Sequence, residues 1–320
     1  MSQPHPQQSR ARHYLVTGAG PIGSTVALQL ANAGHSVTLA SRSGSGPEHP
    51  GIRRTRTDAT DPVQLAEAAT GAEAIFHCIH AAYSAEAWRK VLPQAEAVVL
   101  AEATRAGIPA VFPESLYSYS EPRAVMREDS PRRASGGKRG VRTALLDARE
   151  ASSANTVSVV ASDYYGPGAE NAHAGTRMLE AVFGGKRLAA IGNPDLPHSF
   201  TYLPDLAAAM VRAAQRPELW NRVLHAPTAP PTTQRAMAEG YARAASLTAP
   251  RVSGIPGWVL RALGTVNRDM RELAEMAYQF DAAFVMDSAR SEAALGLSPT
   301  PLEEGFAATA AWWTERSAGA

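Results

Sequence analysis

A glycine-rich turn between two apolar segments constrains the fold of this chain more than any other feature of its sequence. Residues 14–24 read Tyr-Leu-Val-Thr-Gly-Ala-Gly-Pro-Ile-Gly-Ser. The apolar run at 14–16 predicts a strand, and the turn that follows leads into a helical pattern that ends near Gly34. A second apolar run at 37–39 predicts the next strand. This order of strand, turn, helix and strand is the context in which Gly-x-Gly-x-x-Gly binds a dinucleotide.

Each glycine of the turn meets a different physical requirement of a dinucleotide site. Gly18 allows the tight turn, Gly20 lets the backbone approach a pyrophosphate, and Gly23 lets the helix pack closely on the strand. Proline suits the first helical turn, where its missing N–H is harmless, and the free N–H groups at that helix end attract phosphate. A purely structural glycine turn is the alternative interpretation, and the surrounding elements disfavour it. The predicted phosphate-binding residues are Gly18, Gly20, Pro21, Ile22 and Gly23.

The end of the second strand indicates which dinucleotide binds. A site that prefers NAD places an acidic residue there to bind the ribose 2′-hydroxyl. This strand ends in Ser41 and Arg42, with no acid nearby. Arginine is a planar cation suited to a 2′-phosphate, and the serine adds a hydroxyl donor. An ordinary solvated arginine is the alternative, but the missing acid argues independently against NAD, so the sequence predicts NADP(H).

Bulk properties exclude several classes of protein. The 320 residues carry a net charge of +1 with a pI near 8.0, so no global field favours nucleic acid or a membrane surface. No apolar run reaches membrane-spanning length. Residues 1–12 are polar and rich in Pro and Gln, which predicts a disordered leader and no signal peptide. The single cysteine, Cys78, excludes an internal disulfide and fits the reducing cytoplasm.

Strands and helices alternate over the first half of the chain. Further strands are predicted near 52–57, 74–79, 110–112 and 156–161, with helices between them, the last over about Val141 to Ser152. The run at 74–79 is continuously apolar, as expected of a strand buried on both faces. Such alternation predicts an α/β fold with a doubly wound parallel sheet.

The order of these motifs resembles that of the extended short-chain dehydrogenases/reductases, the NAD(P)-dependent epimerase/dehydratase superfamily. The likeness spans about residues 13–313 and rests on the glycine turn, Asp58, and the segments 165–167, 200–206, 284–287 and 295–302. It implies a Rossmann domain at 13–168 and a mainly substrate-binding part at 169–320. Residues 199–226 of that part would return to the Rossmann domain, which leaves a smaller discontinuous C-terminal domain.

The resemblance also implies further cofactor contacts. Asp58 and Ala59 would lie at the adenine, and His80 and Ala81 on the nicotinamide ribose side. A plain turn carboxylate is an equally good interpretation of Asp58 without the family argument.

The catalytic signature of that family is only partly present. The family uses a Ser or Thr together with Tyr-x-x-x-Lys, in which the lysine lowers the phenol pKa and binds the cofactor ribose. Ser115 falls at the hydroxyl position and Lys138 matches the lysine. Four residues before that lysine stands Ala134, so the tyrosine is absent.

Three interpretations of this gap stay open. In the first, another phenol transfers the proton, Tyr117 by preference and otherwise Tyr119, Tyr164 or Tyr165. The protein is then an NADP(H)-dependent oxidoreductase that acts on the carbonyl, imine or alcohol of a small, largely apolar molecule. In the second, the chain is a non-redox lyase, cyclase or isomerase. In the third, it is a catalytically silent nucleotide-binding sensor.

Other partners are less well supported by the sequence. His77 and His80 join no carboxylate or cysteine cluster at metal-ligand spacing, so no metal site is predicted. The basic segments at 53–56 and 121–142 lack the interleaved aromatic residues of a single-stranded nucleic-acid site. Trp312 and Trp313 predict a helix docking face that would suit contact with a second copy in a homodimer.

Overall fold

The fold is built on a seven-stranded, wholly parallel sheet, as the sequence predicts. A computed structural model describes residues 10–318; most of the predicted leader, residues 1–9, lies outside them. In the order of the sheet, the strands are β10 (Arg222–His225), β6 (Thr156–Ala161), β5 (Ala110–Ser115), β4 (Ile75–His77), β1 (His13–Thr17), β2 (Ser36–Ser41) and β3 (Ile52–Arg56). The chain order reverses between β1 and β4, and ligands of doubly wound sheets bind outside the strand ends at such a switch.

Helices cover both faces of this sheet. The flanking helices are α1 (Pro21–Asn32), α2 (Pro62–Ala68), α3 (Ala85–Ala106), α4 (Gly137–Ala151) and α6 (Leu203–Ala214). Helices α1 and α6 pack together over one apolar core that includes Leu30 and Met210. A second core, which contains Leu65 and Val99, lies between the other face and helices α2 and α3. The molecule therefore has the three-layer arrangement of the predicted α/β class.

Local sequence explains where several of these helices begin and end. The side chain of Asp61 accepts hydrogen bonds from the N–H groups of Val63 and Gln64, which caps α2. Ser84 caps α3 in the same way, and α3 ends at Gly107 with a positive φ of 67°. Helix α4 begins at Gly137, four residues before the predicted start near Val141.

The second half of the chain adds a smaller group of elements. These are β7 (Asp163–Tyr165), α5 (Thr176–Phe183), β8 (Leu188–Ile191), β9 (Phe200–Tyr202), α7 (Gln234–Ala244), β11 (Val252–Ile255), α8 (Gly257–Leu263), α9 (Arg268–Met276), α10 (Ala289–Leu295) and α11 (Leu302–Ala318). Strand β8 pairs with β11, and β7 pairs with β9. Helices α5, α7 and α11 share their own apolar core around Tyr241 and Phe306. Short 3-10 turns lie at 116–118, 217–219 and 277–279.

Candidate active site

The glycine turn leaves open space beside the N-terminus of α1. A Cβ atom on Gly18, whose φ is 94°, would lie 2.7 Å from the carbonyl oxygen of Cys78. A Cβ on Gly23 would overlap the carbonyl oxygen of Gly18. A Cβ on Gly20, by contrast, would meet no heavy atom within 4 Å. Protein packing therefore explains two of the glycines, while the third borders an empty region at a helix N-terminus, where anions bind favourably.

The end of β2 presents a cation that no other described residue engages. Arg42 is exposed, and its carbonyl accepts a hydrogen bond from Arg56 Nε at 3.0 Å. No hydrogen bond or ion pair between residues 10 and 318 occupies its guanidinium. Ser41 Oγ donates to the carbonyl of Ser45 at 3.2 Å. The arginine is thus available to an anionic group at this strand end.

Asp58 and Ala59 follow β3 on the same side of the sheet. The Asp58 carboxylate accepts hydrogen bonds from both the N–H and the hydroxyl of Thr60, at 2.9 and 2.8 Å. These bonds, with a smaller effect of the Arg42 charge, lower the pKa of Asp58. Ala59 is buried. The carboxylate therefore has a role in a turn, and its predicted role at an adenine stays a prediction.

The end of β4 contributes His80 and Ala81. His80 is exposed, its Nδ1 lies 2.7 Å from the Ala81 carbonyl, and its ring meets Trp88 edge-on at 4.8 Å. Because β4 and β1 are parallel neighbours, this segment begins beside the glycine turn. It therefore lies near the glycine turn, and its contact with a ribose stays a prediction.

Ser115 ends β5 and is held by a buried ion-pair network. Its N–H donates to Glu114 Oε1 at 2.8 Å, and its Oγ lies 3.4 Å from the same oxygen. The other oxygen of Glu114 accepts from Arg149 at 3.0 Å, and Arg149 also binds the buried Glu96 at 2.6 Å. This network was not predicted from the sequence. Its signal was the charged residue that closes an otherwise apolar strand, because buried charges require partners.

Tyr117 lies in an aromatic group beyond Ser115. Its ring stacks on Trp88 at a centroid distance of 6.1 Å, and its hydroxyl lies 3.3 Å from that of Tyr83. Burial, with a smaller effect from Tyr83 and Asp163, raises the pKa of Tyr117 well above its ordinary value. A phenol in this environment stays protonated at neutral pH, so it is not a base there, and its raised pKa makes it a weaker proton donor than an ordinary phenol.

The alternative phenols differ in how deeply they are buried. Tyr119 is fully buried, and its hydroxyl lies 2.6 Å from His225 Nε2. Tyr165 is fully buried against Tyr202 and Phe306. Tyr164 is only partly buried. Among the predicted alternatives, Tyr119 and Tyr165 therefore serve the core.

Lys138 is fully buried and bound by two carboxylates of α9. Its Nζ lies 2.5 Å from Glu272 Oε2 and 2.7 Å from Glu275 Oε2, and it lies 4.8 Å from the ring centroid of Tyr83. Its backbone N–H donates to Glu275 Oε1 at 2.6 Å, which caps the first turn of α4. The ammonium thus already has two anionic partners, and its predicted contact with a ribose stays a prediction.

Ala134, where the family tyrosine would stand, lies away from solvent. It is buried, its N–H donates to the carbonyl of Ser118 at 3.0 Å, and its carbonyl accepts from Thr143 at 2.7 Å. Among the described residues, Tyr83 links Lys138 to Tyr117, because its ring faces the lysine and its hydroxyl faces the phenol.

A carboxylate not selected from the sequence lies at the end of β6. Strands β5 and β6 pair with Ser115 opposite Ala161, so Asp163 lies two residues further along the same edge. Its Oδ2 lies 2.8 Å from Nε2 of His198, whose ring stacks on Phe280 and Phe284. Burial alone would raise the pKa of Asp163, but the hydrogen bond and charge of the imidazole lower it. The carboxyl group is therefore ionised at neutral pH.

Three further observations concern the described residues as a whole. Within residues 10–318, no group of three or more His, Cys, Asp or Glu side chains is arranged to hold a metal ion. None of the described helices is both long and apolar enough to cross a membrane. A depression of about 380 Å³ borders the C-terminal end of α1 near His35 and Gln215, at the opposite end of that helix from the glycine turn.

Comparisons with known proteins identify the family. The model of the NAD dependent epimerase/dehydratase family matches residues 14–222, about two thirds of the chain. No curated protein matches the chain in sequence.

Many solved structures share the fold. WbmH of Bordetella bronchiseptica, solved with NAD⁺, superposes with a TM-score of 0.75 and 18% identity, over 96% of this chain and 99% of that one. UDP-glucose 4-epimerase of Thermotoga maritima, solved with UDP-glucose, superposes with a TM-score of 0.74 and 17% identity, over 95% of this chain and 99% of that one. The UDP-glucose 4-epimerase of Thermus thermophilus, solved with NAD, superposes with a TM-score of 0.72 and 18% identity, over 94% of this chain and 99% of that one. The resemblance inferred from the motifs is thus confirmed: this chain belongs to the NAD dependent epimerase/dehydratase family.

Proposed function

We propose that the protein binds NADP(H) at the glycine turn and catalyses hydride transfer with a small organic substrate. The observation that carries the proposal is the glycine turn at the N-terminus of α1, where a Cβ on Gly20 would meet no protein atom within 4 Å, in a chain of a nicotinamide-dependent family. The unengaged guanidinium of Arg42 and the missing acid at the end of β2 favour NADP(H) over NAD.

The residues at the strand ends suit separate parts of this reaction. The bound dinucleotide supplies the hydride donor or acceptor. The hydroxyl of Ser115, oriented by Glu114, would bind the oxygen or nitrogen of the reacting carbonyl, imine or alcohol. The protonated phenol of Tyr117 would donate the proton during reduction.

One observation favours a second candidate. Two carboxylates occupy Lys138, and Ala134 supplies no phenol, so the family's proton-transfer pair is not assembled. A non-redox lyase, cyclase or isomerase that uses the same cleft, or a silent nucleotide-binding sensor, is the alternative proposal.

Fluorescence titration with NADPH and NADH tests the cofactor assignment. The wild type should bind NADPH more tightly, and Arg42→Ala should weaken NADPH binding at least about tenfold, roughly 1.4 kcal/mol, with little change for NADH. Arg251→Ala, at an exposed arginine beside β11, is the matched control and should bind as the wild type does. Equal affinity of Arg42→Ala and wild type for NADPH would refute the 2′-phosphate contact. If neither nucleotide binds, the hydride-transfer function fails.

A further inference from the structure

Helix α4 carries three arginines, and the side chain of the middle one makes no hydrogen bond among residues 10–318. Arg139 donates to two backbone carbonyls, and Arg149 donates to two buried carboxylates and a serine hydroxyl. Arg142, by contrast, has a buried Nε without a partner, and its Nη1 lies 3.5 Å from Glu114 Oε1. That separation is longer than an ordinary hydrogen bond, so the N–H groups of this guanidinium keep their capacity to donate.

The guanidinium of Arg142 is also largely removed from water. Its side chain is 11% exposed, and its Cζ lies 4.8 Å from the ring centroid of Trp88. Cation–π attraction to the indole holds the charged group in place but supplies no oxygen that could accept a hydrogen bond. Because buried donors in proteins are nearly always hydrogen-bonded, a guanidinium in this state calls for an acceptor from outside the described chain.

Arg142 lies beside the hydroxyl group proposed to bind the reacting atom. Glu114 Oε1, which approaches its Nη1, also lies 3.4 Å from Ser115 Oγ, so a single oxygen atom separates the guanidinium from that hydroxyl. The Trp88 ring that Arg142 covers meets the ring of His80 edge-on. Ser115 ends β5 and His80 follows β4, which are neighbouring parallel strands. The guanidinium therefore lies at the sheet edge where ligands of doubly wound folds bind.

We infer that the substrate carries a carboxylate, and that Arg142 binds this group while Ser115 binds the reacting oxygen. A carboxylate presents two parallel oxygens to the fork of a guanidinium, which a neutral ketone or amide does not. A phosphate dianion fits less well, because Glu114 Oε1 beside Nη1 opposes a second negative charge. The short separation of Arg142 from Ser115 places the carboxylate close to the reacting carbon, as in an α- or β-oxo acid or the corresponding hydroxy acid. The inference rests on the proposed function, since it specifies which substrate the hydride-transfer site takes.

Calorimetric titration with matched acids and amides tests the inference without any nucleotide. The probes are pyruvate, phenylpyruvate and acetoacetate, each beside its primary amide. At least one acid should bind the wild type at least about tenfold more tightly than its amide, and Arg142→Gln should remove that preference. Arg142→Lys, which keeps the charge but loses the fork, should retain only part of it. Arg89→Gln, at an exposed arginine next to Trp88 in the sequence, is the matched control and should keep the preference. Thermal unfolding verifies the fold of each variant.

Three outcomes would overturn the inference. They are equal binding of acids and amides, no binding of any probe, and an unchanged acid preference in Arg142→Gln. If that variant does not fold, the same comparison in wild type and Arg142→Lys decides the question. Parallel titrations with NADPH separate the other source of anionic oxygens, the phosphates of the dinucleotide. If Arg142→Gln weakens NADPH binding but not acid binding, those phosphates are the partner and the substrate inference is overturned. Acid binding by a wild type that does not bind NADPH would instead defeat the proposed function alone.

Discussion

Two glycines of the same turn should respond in opposite ways to the same substitution. In Gly23→Ala the added methyl group overlaps the Gly18 carbonyl and lies 3.2 Å from the Cys78 Cβ. Helix propensity alone would make alanine the better residue by about 1 kcal/mol. Overpacking against fixed backbone costs up to about 3 kcal/mol, so we expect a net loss of about 2 kcal/mol.

Gly20→Ala should instead leave the fold intact and damage binding. Gly20 has a φ of −76°, which any residue adopts, and its new methyl group meets no protein atom within 4 Å. Replacing an N-cap glycine with alanine costs at most about 1 kcal/mol. If the pyrophosphate passes over this position, the methyl group should weaken NADPH binding at least about tenfold, which corresponds to roughly 1.4 kcal/mol.

Urea unfolding and NADPH titration of both variants measure these effects separately. The expected pattern is reduced stability for Gly23→Ala and reduced affinity at near-normal stability for Gly20→Ala. Wild-type NADPH affinity in Gly20→Ala would refute the placement of the pyrophosphate. Wild-type stability in Gly23→Ala would refute the steric argument.

Two further perturbations test the electrostatics of the site. Lys138→Met leaves Glu272 and Glu275 facing each other and should lower the free energy of unfolding by about 3 kcal/mol in urea titrations. Adding Glu272→Gln and Glu275→Gln should restore most of it, and failure of that rescue would contradict the ion-pair account. Because burial lowers the pKa of His173 from 6.5 to about 4, the folded state resists its protonation. The contribution of His173 to the free energy of unfolding should therefore be fully present above pH 6.5 and be lost as the pH falls towards 4. His173→Gln should reduce that loss by about 1–2 kcal/mol. If the stability of wild type and His173→Gln changes with pH in the same way, the assignment is contradicted.

The elements that the sequence predicts best are those whose signals are local. The glycine turn and the apolar run at β4 are fixed by neighbours within a few residues, and both lie in the central sheet. Even β3, which contains three arginines, is predictable because a strand at the sheet edge tolerates polar side chains. Periodicity and turn residues are enough for these elements.

The start of α4 shows why other features escaped prediction. Gly137 has a φ of 49°, and a side chain there would overlap Glu275, whose carboxylate caps the helix. Glu275 accepts the hydrogen bond from the N–H of Lys138, and it lies 137 positions after that lysine in the chain. The pair of Asp163 and His198 is likewise assembled through the pairing of β7 with β9. No local pattern reports such contacts, because only the tertiary fold creates them.

The partners of Lys138 determine which chemistry Tyr117 can perform. A lysine lowers the pKa of a nearby phenol only through positive charge that is not already neutralised. Here two carboxylates bind the ammonium, so the group of three carries a net negative charge and cannot stabilise a phenolate. Burial is the main cause of the raised pKa of Tyr117, with smaller effects from Tyr83 and Asp163. Tyr117 therefore stays a protonated phenol at neutral pH and cannot act there as a base.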